Sequence, residues 1–210
     1  MEHRKIYLED KCPHPDGELL ICGPVPPERL AAWTMHEGLD AFRPPLEQQQ
    51  ALVEIAELPE GRIIAAVHDR TIVGYVTFHY PDPLERWSDG GMEDLIELGA
   101  IEVAPPYRSF GIGKRMLQLA FRERQLDNVI VFTTEYYWHW DLKSSGLDVW
   151  EYRRMMERLM KSVGMIWYAT DDPEICSHPA NCLMVKIGPE VPLSSVERFD
   201  RVRFRQRYMY

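Results

Sequence analysis

The chain has 210 residues, 45% of them apolar, and a formal net charge of −9 with its histidines neutral. That length suits one globular domain with a full core. The negative balance speaks against a general binder of nucleic acid or anionic membrane; an anionic ligand would need a local positive site, while an amine or a protein lysine would suit the overall field.

In chain order, Pro13, Pro15, Gly17, Gly23, Pro24, Pro26 and Pro27 break the first stretch and leave Glu18 to Cys22 as the first expected strand. Glu28 to Glu37 reads as a short helix and Arg43-Pro44-Pro45 as a break. Leu46 to Leu58 repeats Leu52, Val53, Ile55, Ala56 and Leu58 among Glu and Gln, a helical pattern. Arg62 to His68 and Thr71 to Tyr80 are β-branched or aromatic runs around Asp69-Arg70, the mark of a hairpin. Pro81 to Met92 is a loop with Leu84 and Trp87 as anchors, and Asp94 to Val103 is a strand. Lys114 to Leu126 places Met116, Leu117, Leu119, Ala120 and Phe121 on one face of a helix. Val129 to Thr134 is the next strand, followed by the aromatic segment Tyr136-Tyr137-Trp138-His139-Trp140-Asp141. Asp148, with Glu151 three residues on, caps a helix that Gly164 stops. Met165 to Thr170 is a strand, Pro179 to Ile187 a helix, and Ser194 to Tyr210 a closing amphipathic helix bearing Arg198, Arg201, Arg203, Arg205 and Arg207.

Cys12, Cys22, Cys176 and Cys182 form no C-x-x-C pair, and the grouping of Cys176, His178 and Cys182 lacks the further ligands that a zinc site needs. No metal is expected. No apolar run reaches the length of a membrane span, and Met1-Glu2-His3-Arg4-Lys5 leads into no long apolar segment, so a cytoplasmic setting with reduced thiols is expected.

The stretch from Leu98 to Lys114, with Val103-x-Pro105-x-x-Arg108-x-x-Gly111-x-Gly113 at its centre, places an apolar strand, a glycine loop and a helix start in succession. Glycines allow close backbone approach, the first amides of a helix lack internal partners, and Arg108, Lys114 and Arg115 add charge, so the segment is built to hold phosphate. A Walker loop would need a hydroxyl after Lys114, where Arg115 stands, and a dinucleotide fingerprint would need a third glycine. The pattern closely resembles the acyl-CoA loop of the GNAT acetyltransferases.

That resemblance implies the GNAT acyl-CoA N-acyltransferase fold, an α/β (α+β) arrangement with a mixed, largely antiparallel central sheet flanked by helices. It implies one domain over residues 1–210, with extensions at 1–27 and 189–210 and an aromatic insertion near 135–147. Acetyl-CoA would be the co-substrate, its pyrophosphate on Arg108, Ser109, Phe110, Gly111, Ile112, Gly113 and Lys114, and its pantetheine along the strand at Ile101 and Val103. Asn181 stands where the family carries an asparagine, but Met184 and Val185 occupy the region of the family's tyrosine acid. Tyr168, Tyr136 and Tyr137 are the replacements.

Acetyl transfer to lysine requires the neutral amine, and a free lysine with a pKa near 10.4 is protonated at neutral pH, so a base must be close. Glu97 and Glu102 are the candidates, one on or beside the loop-bearing strand and one within its apolar run, and alternation puts them on opposite faces. Each could equally be an edge glutamate or half of an ion pair. Longer strings, among them Ala41-Phe42-Arg43-Pro44-Pro45, Tyr80-Pro81-Asp82-Pro83-Leu84-Glu85-Arg86-Trp87, Thr134 to Lys143 and Ser177 to Met184, are similar to the acetoin-utilization acetyltransferases over nearly the whole chain. This implies a protein lysine N-acetyltransferase that modifies and inactivates acetyl-CoA synthetase, with a deacetylase reversing it. A small-molecule amine acetyltransferase and a non-catalytic acetyl-CoA-binding regulatory module are the alternatives.

Overall fold

The computed structural model describes residues 2–205, so Arg207 lies outside the described residues. The chain groups into two compact units, Glu2–His79 with Leu98–Gln125, and Tyr80–Glu97 with residues 126–205.

In the first unit β1 (Leu8–His14) and β2 (Gly17–Gly23) form an antiparallel hairpin in register from Leu8↔Gly23 to His14↔Gly17. The prolines concealed β1, because Pro13 reads as a breaker; at the end of the strand order its missing N–H costs no ladder bond. α1 (Pro27–Ala32) starts on proline and stops early, since β3 (Thr34–Met35) leaves the expected helix to pair in parallel with β5. α2 (Pro45–Glu57) is followed by β4 (Arg62–His68) and β5 (Thr71–His79), antiparallel about Asp69 and Arg70 at φ 45° and 65°, a turn whose twist matches a hairpin. β6 (Leu95–Val103) enters this unit at Leu98, giving the order β1-β2-β4-β5-β6. α3 (Ile112–Ala120) packs on β2, β4 and β5 and ends at Ala120, short of the expected Leu126. Leu30, Leu39, Leu52, Ile63, Ile72 and Tyr75 fill the core.

A buried ion pair locks the N-terminal segment to this core: Arg62 Nε donates to Glu123 Oε2 at 2.9 Å, the two side chains being 2% and 1% exposed. Arg62 also donates to the carbonyls of Glu60 and Arg4, and Glu123 accepts from the Ile6 amide. Removing one partner of such a pair costs about 3–5 kcal/mol, because the other charge stays buried.

In the second unit, residues Leu95 to Glu97 of β6 pair in parallel with β7 (Ile130–Glu135). β8 (Ile166–Tyr168) and β9 (Cys182–Ile187) complete the order β6-β7-β9-β8, with β7/β9 and β9/β8 antiparallel. β9 corrects the helix expected over Pro179 to Ile187: Cys182 to Val185 are all buried, and the ladder from Ile130↔Ile187 to Glu135↔Cys182 takes up the backbone. α4 (Leu142–Ser145), α5 (Val149–Lys161), α6 (Pro173–Cys176) and α7 (Leu193–Arg203) are the helices. α5 carries the expected capping box, with Asp148 Oδ1 accepting from the Glu151 amide at 2.7 Å and Glu151 Oε2 from the Asp148 amide at 3.0 Å. Trp87 stacks obliquely on Phe132 and Phe199 in the core and is 2% exposed, whereas Leu84 at 96% anchors nothing.

Antiparallel pairs dominate and β3/β5 and β6/β7 are parallel, so the sheet is mixed and flanked by helices, as the fold class requires. No helix among the described residues is long and apolar enough to cross a membrane.

Candidate active site

The first unit presents the glycine loop. After Val103 the Ala104 amide bonds to the Val73 carbonyl at 2.9 Å, and Pro105–Tyr107 then form one 3-10 turn. Arg108 folds back and donates from Nε to the Val103 carbonyl at 3.0 Å, tying the loop to the strand that feeds it. Ser109 and Gly111 take φ of 73° and 71°. Nothing lies within 4 Å of a Cβ built on Gly111, so glycine is needed there for its backbone angle rather than for space. The first i→i−4 bond of α3 runs from the Arg115 amide to the Gly111 carbonyl, which leaves the amides of Ile112, Gly113 and Lys114 for an outside acceptor. With Lys114 and Arg115 exposed beside them, these groups fit a phosphate. Ile112 can offer only its backbone, since its side chain is 2% exposed in the core. Ile101 and Val103 are half-buried on β6.

Histidines brace this loop, a feature the sequence did not announce because they lie far apart in the chain. His14 stacks on Tyr107 at 5.0 Å between ring centroids and meets the edge of Phe110 at 4.5 Å. His68 Nδ1 lies 2.9 Å from the Tyr107 hydroxyl, and His36 packs edge-on to the same ring. His14 Nε2 is buried with no hydrogen-bond partner among the described residues, so its contribution is the ring contact.

Glu102 is 6% exposed and fully engaged: its Oε2 accepts from the Tyr75 hydroxyl at 2.6 Å and its Oε1 from the Ala41 amide at 2.9 Å. Burial, and then the Glu102 charge, push the Tyr75 hydroxyl well above the usual tyrosine range. The carboxylate is thus a crosslink between β6, β5 and the segment before α2, which explains how an apolar strand tolerates it.

Glu97 belongs to the second unit, where it lies opposite Phe132 in the β6/β7 ladder. Its carboxylate makes no hydrogen bond or ion pair among the described residues. Burial, then the charges of Glu85 and Asp82, push it up to about 8. A carboxyl so placed exchanges a proton near neutral pH, the requirement of a general base. Glu85 was not anticipated; the only sequence hint was its place in an acidic loop just before the strand.

The remaining candidates of this unit make other contacts. Tyr168 packs against Phe199 and lies under the Arg203 guanidinium at 5.1 Å from its ring centroid, which gives it a packing role. Asn181 accepts from the Tyr137 amide at 3.0 Å and donates to the Glu174 carbonyl at 3.0 Å, so both ends of its amide stitch loops of the second unit together. Tyr137 is packed on His178 at 4.2 Å, and Tyr136 stacks on Trp138 at 4.8 Å. Glu135, absent from the sequence reading, is buried and pushed up to about 7 by that burial, against a hydrogen bond from Trp140 Nε1. Among the described residues no three His, Cys, Asp or Glu side chains are grouped to hold a metal.

Residues 30–143, more than half of the chain, match the model of the acetyltransferase (GNAT) family. The acetoin utilization protein AcuA of Bacillus subtilis is 61% identical over the full length of both chains, and that of Bacillus licheniformis 58% identical over the same span. The crystal structure of an acetoin utilization protein from Exiguobacterium sibiricum superposes with a TM-score of 0.96 at 50% identity, covering 99% of this chain and 98% of that one. By its glycine loop, its mixed sheet and these matches, the chain belongs to the GNAT acetyltransferases, a family that uses acetyl-CoA, and within it to the AcuA proteins.

Proposed function

We propose that the chain is a protein lysine N-acetyltransferase that transfers acetyl from acetyl-CoA directly to a lysine of acetyl-CoA synthetase, with Glu97 as the general base. The target is the one implied by the likeness to acetoin-utilization acetyltransferases. A cytoplasmic setting suits both that target and the four unpaired cysteines. The observation that carries the mechanism is the contrast on β6: Glu97 has no hydrogen-bond partner among the described residues and its pKa is pushed up to about 8, whereas both Glu102 oxygens are engaged. Glu97 takes one proton from the substrate ammonium, and the neutral amine attacks the thioester carbonyl. The C–S bond then breaks as the amide forms, and the second amine proton leaves with the CoA sulfur. The loop from Arg108 to Lys114 holds the pyrophosphate through its amides and charges, and the β6 backbone near Ile101 and Val103 holds the pantetheine. Acetylation removes the charge of the target lysine and, with it, any role of that charge in binding an anionic intermediate.

The test is intact mass of acetyl-CoA synthetase after incubation with acetyl-CoA and enzyme. The expected result is a gain of about one acetyl group with the parent and none with Glu97→Gln, although that variant still binds acetyl-CoA. An undiminished gain with Glu97→Gln overturns the base assignment. No gain with any protein, alongside turnover on free amines, overturns the protein-substrate reading in favour of a small-molecule acceptor.

A further inference from the structure

The second unit contains a cavity of about 570 Å3 with no role in the transfer described above, lined by Glu85, Trp87, Tyr136, Trp138, Glu174 and neighbouring residues. Its wall is aromatic: Tyr136 and Trp138 stack with their planes 18° apart, and Trp138 stays 48% exposed. Its charge is negative once internal pairs are subtracted. Arg86 is committed to Asp171 at 2.6 Å, to Asp172 at 3.5 Å and to the Val202 carbonyl. Arg205 is paired with Asp89 and donates to the Arg86 carbonyl. Asp172 also caps α6, accepting from the Glu174 and Ile175 amides. Glu85 and Glu174 remain, and neither has a cationic partner among the described residues. Burial and the neighbouring Asp82, Glu174 and Asp172 charges hold the Glu85 carboxyl above the usual range, a crowding that a bound cation relieves.

We propose that this cavity seats a basic side chain of the protein substrate, a lysyl or arginyl residue close in sequence to the acetylated lysine, and so selects cationic segments. An exposed indole and two carboxylates without counter-ions among the described residues are complementary to an ammonium or guanidinium carried on an alkyl stem. The volume exceeds that of one side chain, which suits a stretch of polypeptide. The inference rests on the lysine acetyltransferase reading and adds the chemistry of the segment around the acceptor.

The experiment uses two capped synthetic peptides with one lysine each, flanked in one by serines and in the other by two arginines, which cannot themselves be acetylated on the reacting amine. The full-length enzyme should show a KM about tenfold lower for the arginine peptide. In the Trp138→Ala/Glu174→Gln double variant that preference should vanish, while the KM for acetyl-CoA, which also reports folding, stays unchanged. Equal KM values for the two peptides, or a preference that survives in the double variant, overturn the proposal. If neither peptide is acetylated, the lysine acetyltransferase reading has failed instead, and quenching of tryptophan fluorescence by the arginine peptide, lost in the double variant, still reports the cavity. Spermidine binding as tightly as the arginine peptide would assign the cavity to a free polyamine and overturn a protein-borne side chain.

Discussion

The two ends of β6 offer a comparison within one strand. At its C-terminal end, in the first unit, Glu102 is buried but every demand of its charge is met by Tyr75 and Ala41. Toward its N-terminal end, in the second unit, Glu97 has no bonding partner among the described residues, and burial with the Glu85 and Asp82 charges pushes it up to about 8. The two residues share a type and a strand and differ only in what surrounds them. A carboxylate that donors satisfy is held as structure; one that is desolvated and crowded by like charge has the raised pKa that proton exchange near neutral pH needs.

The largest expected effect separates the two directly. Glu97→Gln should lower kcat by about 10²–10⁴-fold and remove the limb of the rate profile that rises toward pH 8, measured with acetyl-CoA saturating. A second readout follows from linkage. The folded carboxyl keeps its proton up to about pH 8, while the unfolded one loses it near 4.3. The stability from this preference is therefore complete below about pH 4.3 and is lost as pH rises through 8. Glu97→Gln should accordingly melt above the parent at pH 9 and draw level near pH 4, whereas a base that is well solvated in the folded state would show no such trend.

Glu102→Ala tests the other end of the strand. It strands the Tyr75 hydroxyl and the Ala41 amide in the interior, and we expect a loss of about 3 kcal/mol, or a melting temperature about 6–12 °C lower. The pH profile of the surviving activity should keep its rising limb. A normal melting temperature with kcat lost would reverse the roles given to the two glutamates.

The smallest effect lies in the glycine loop. Gly111→Ala meets no neighbour and should cost only about 1–2 kcal/mol of backbone strain. It should appear as a raised KM for acetyl-CoA with kcat nearly unchanged, because the role proposed for the loop is to bind and not to exchange protons. A kcat loss as large as that of Glu97→Gln would break the division of labour between the two ends of the strand.

Much of the fold was legible because local chemistry is repeated there at several levels. The β4/β5 hairpin showed in its β-branched runs and its two-residue turn, and α5 in a capping box that sets its first turn regardless of context. The misreadings share a cause. Pro13 reads as a breaker unless its strand is known to lie at an edge, and the Cys182 to Ile187 run carries neither helical nor alternating period because Cys182 to Val185 are buried on both faces of the sheet. Its assignment rests on long-range pairing with β7. The end of α3 at Ala120 and the short α1 likewise reflect packing that propensity does not encode.

For the site the division is sharper. Residues 103–114 alone determined a loop whose form suits an anion, since glycine angles, unpaired helix amides and basic side chains are local properties of contiguous residues. The run from Asp94 to Val103 placed Glu97 and Glu102 on or beside the strand that feeds it. Only the tertiary structure decided that both Glu102 oxygens accept hydrogen bonds while Glu97 has no such partner among the described residues, that Tyr168 packs on Phe199 and Asn181 bonds two loops, and that histidines from three separate segments brace Tyr107. The reason is physical: a pKa and a hydrogen-bond inventory are sums over neighbours in space, and those neighbours are distant in the chain.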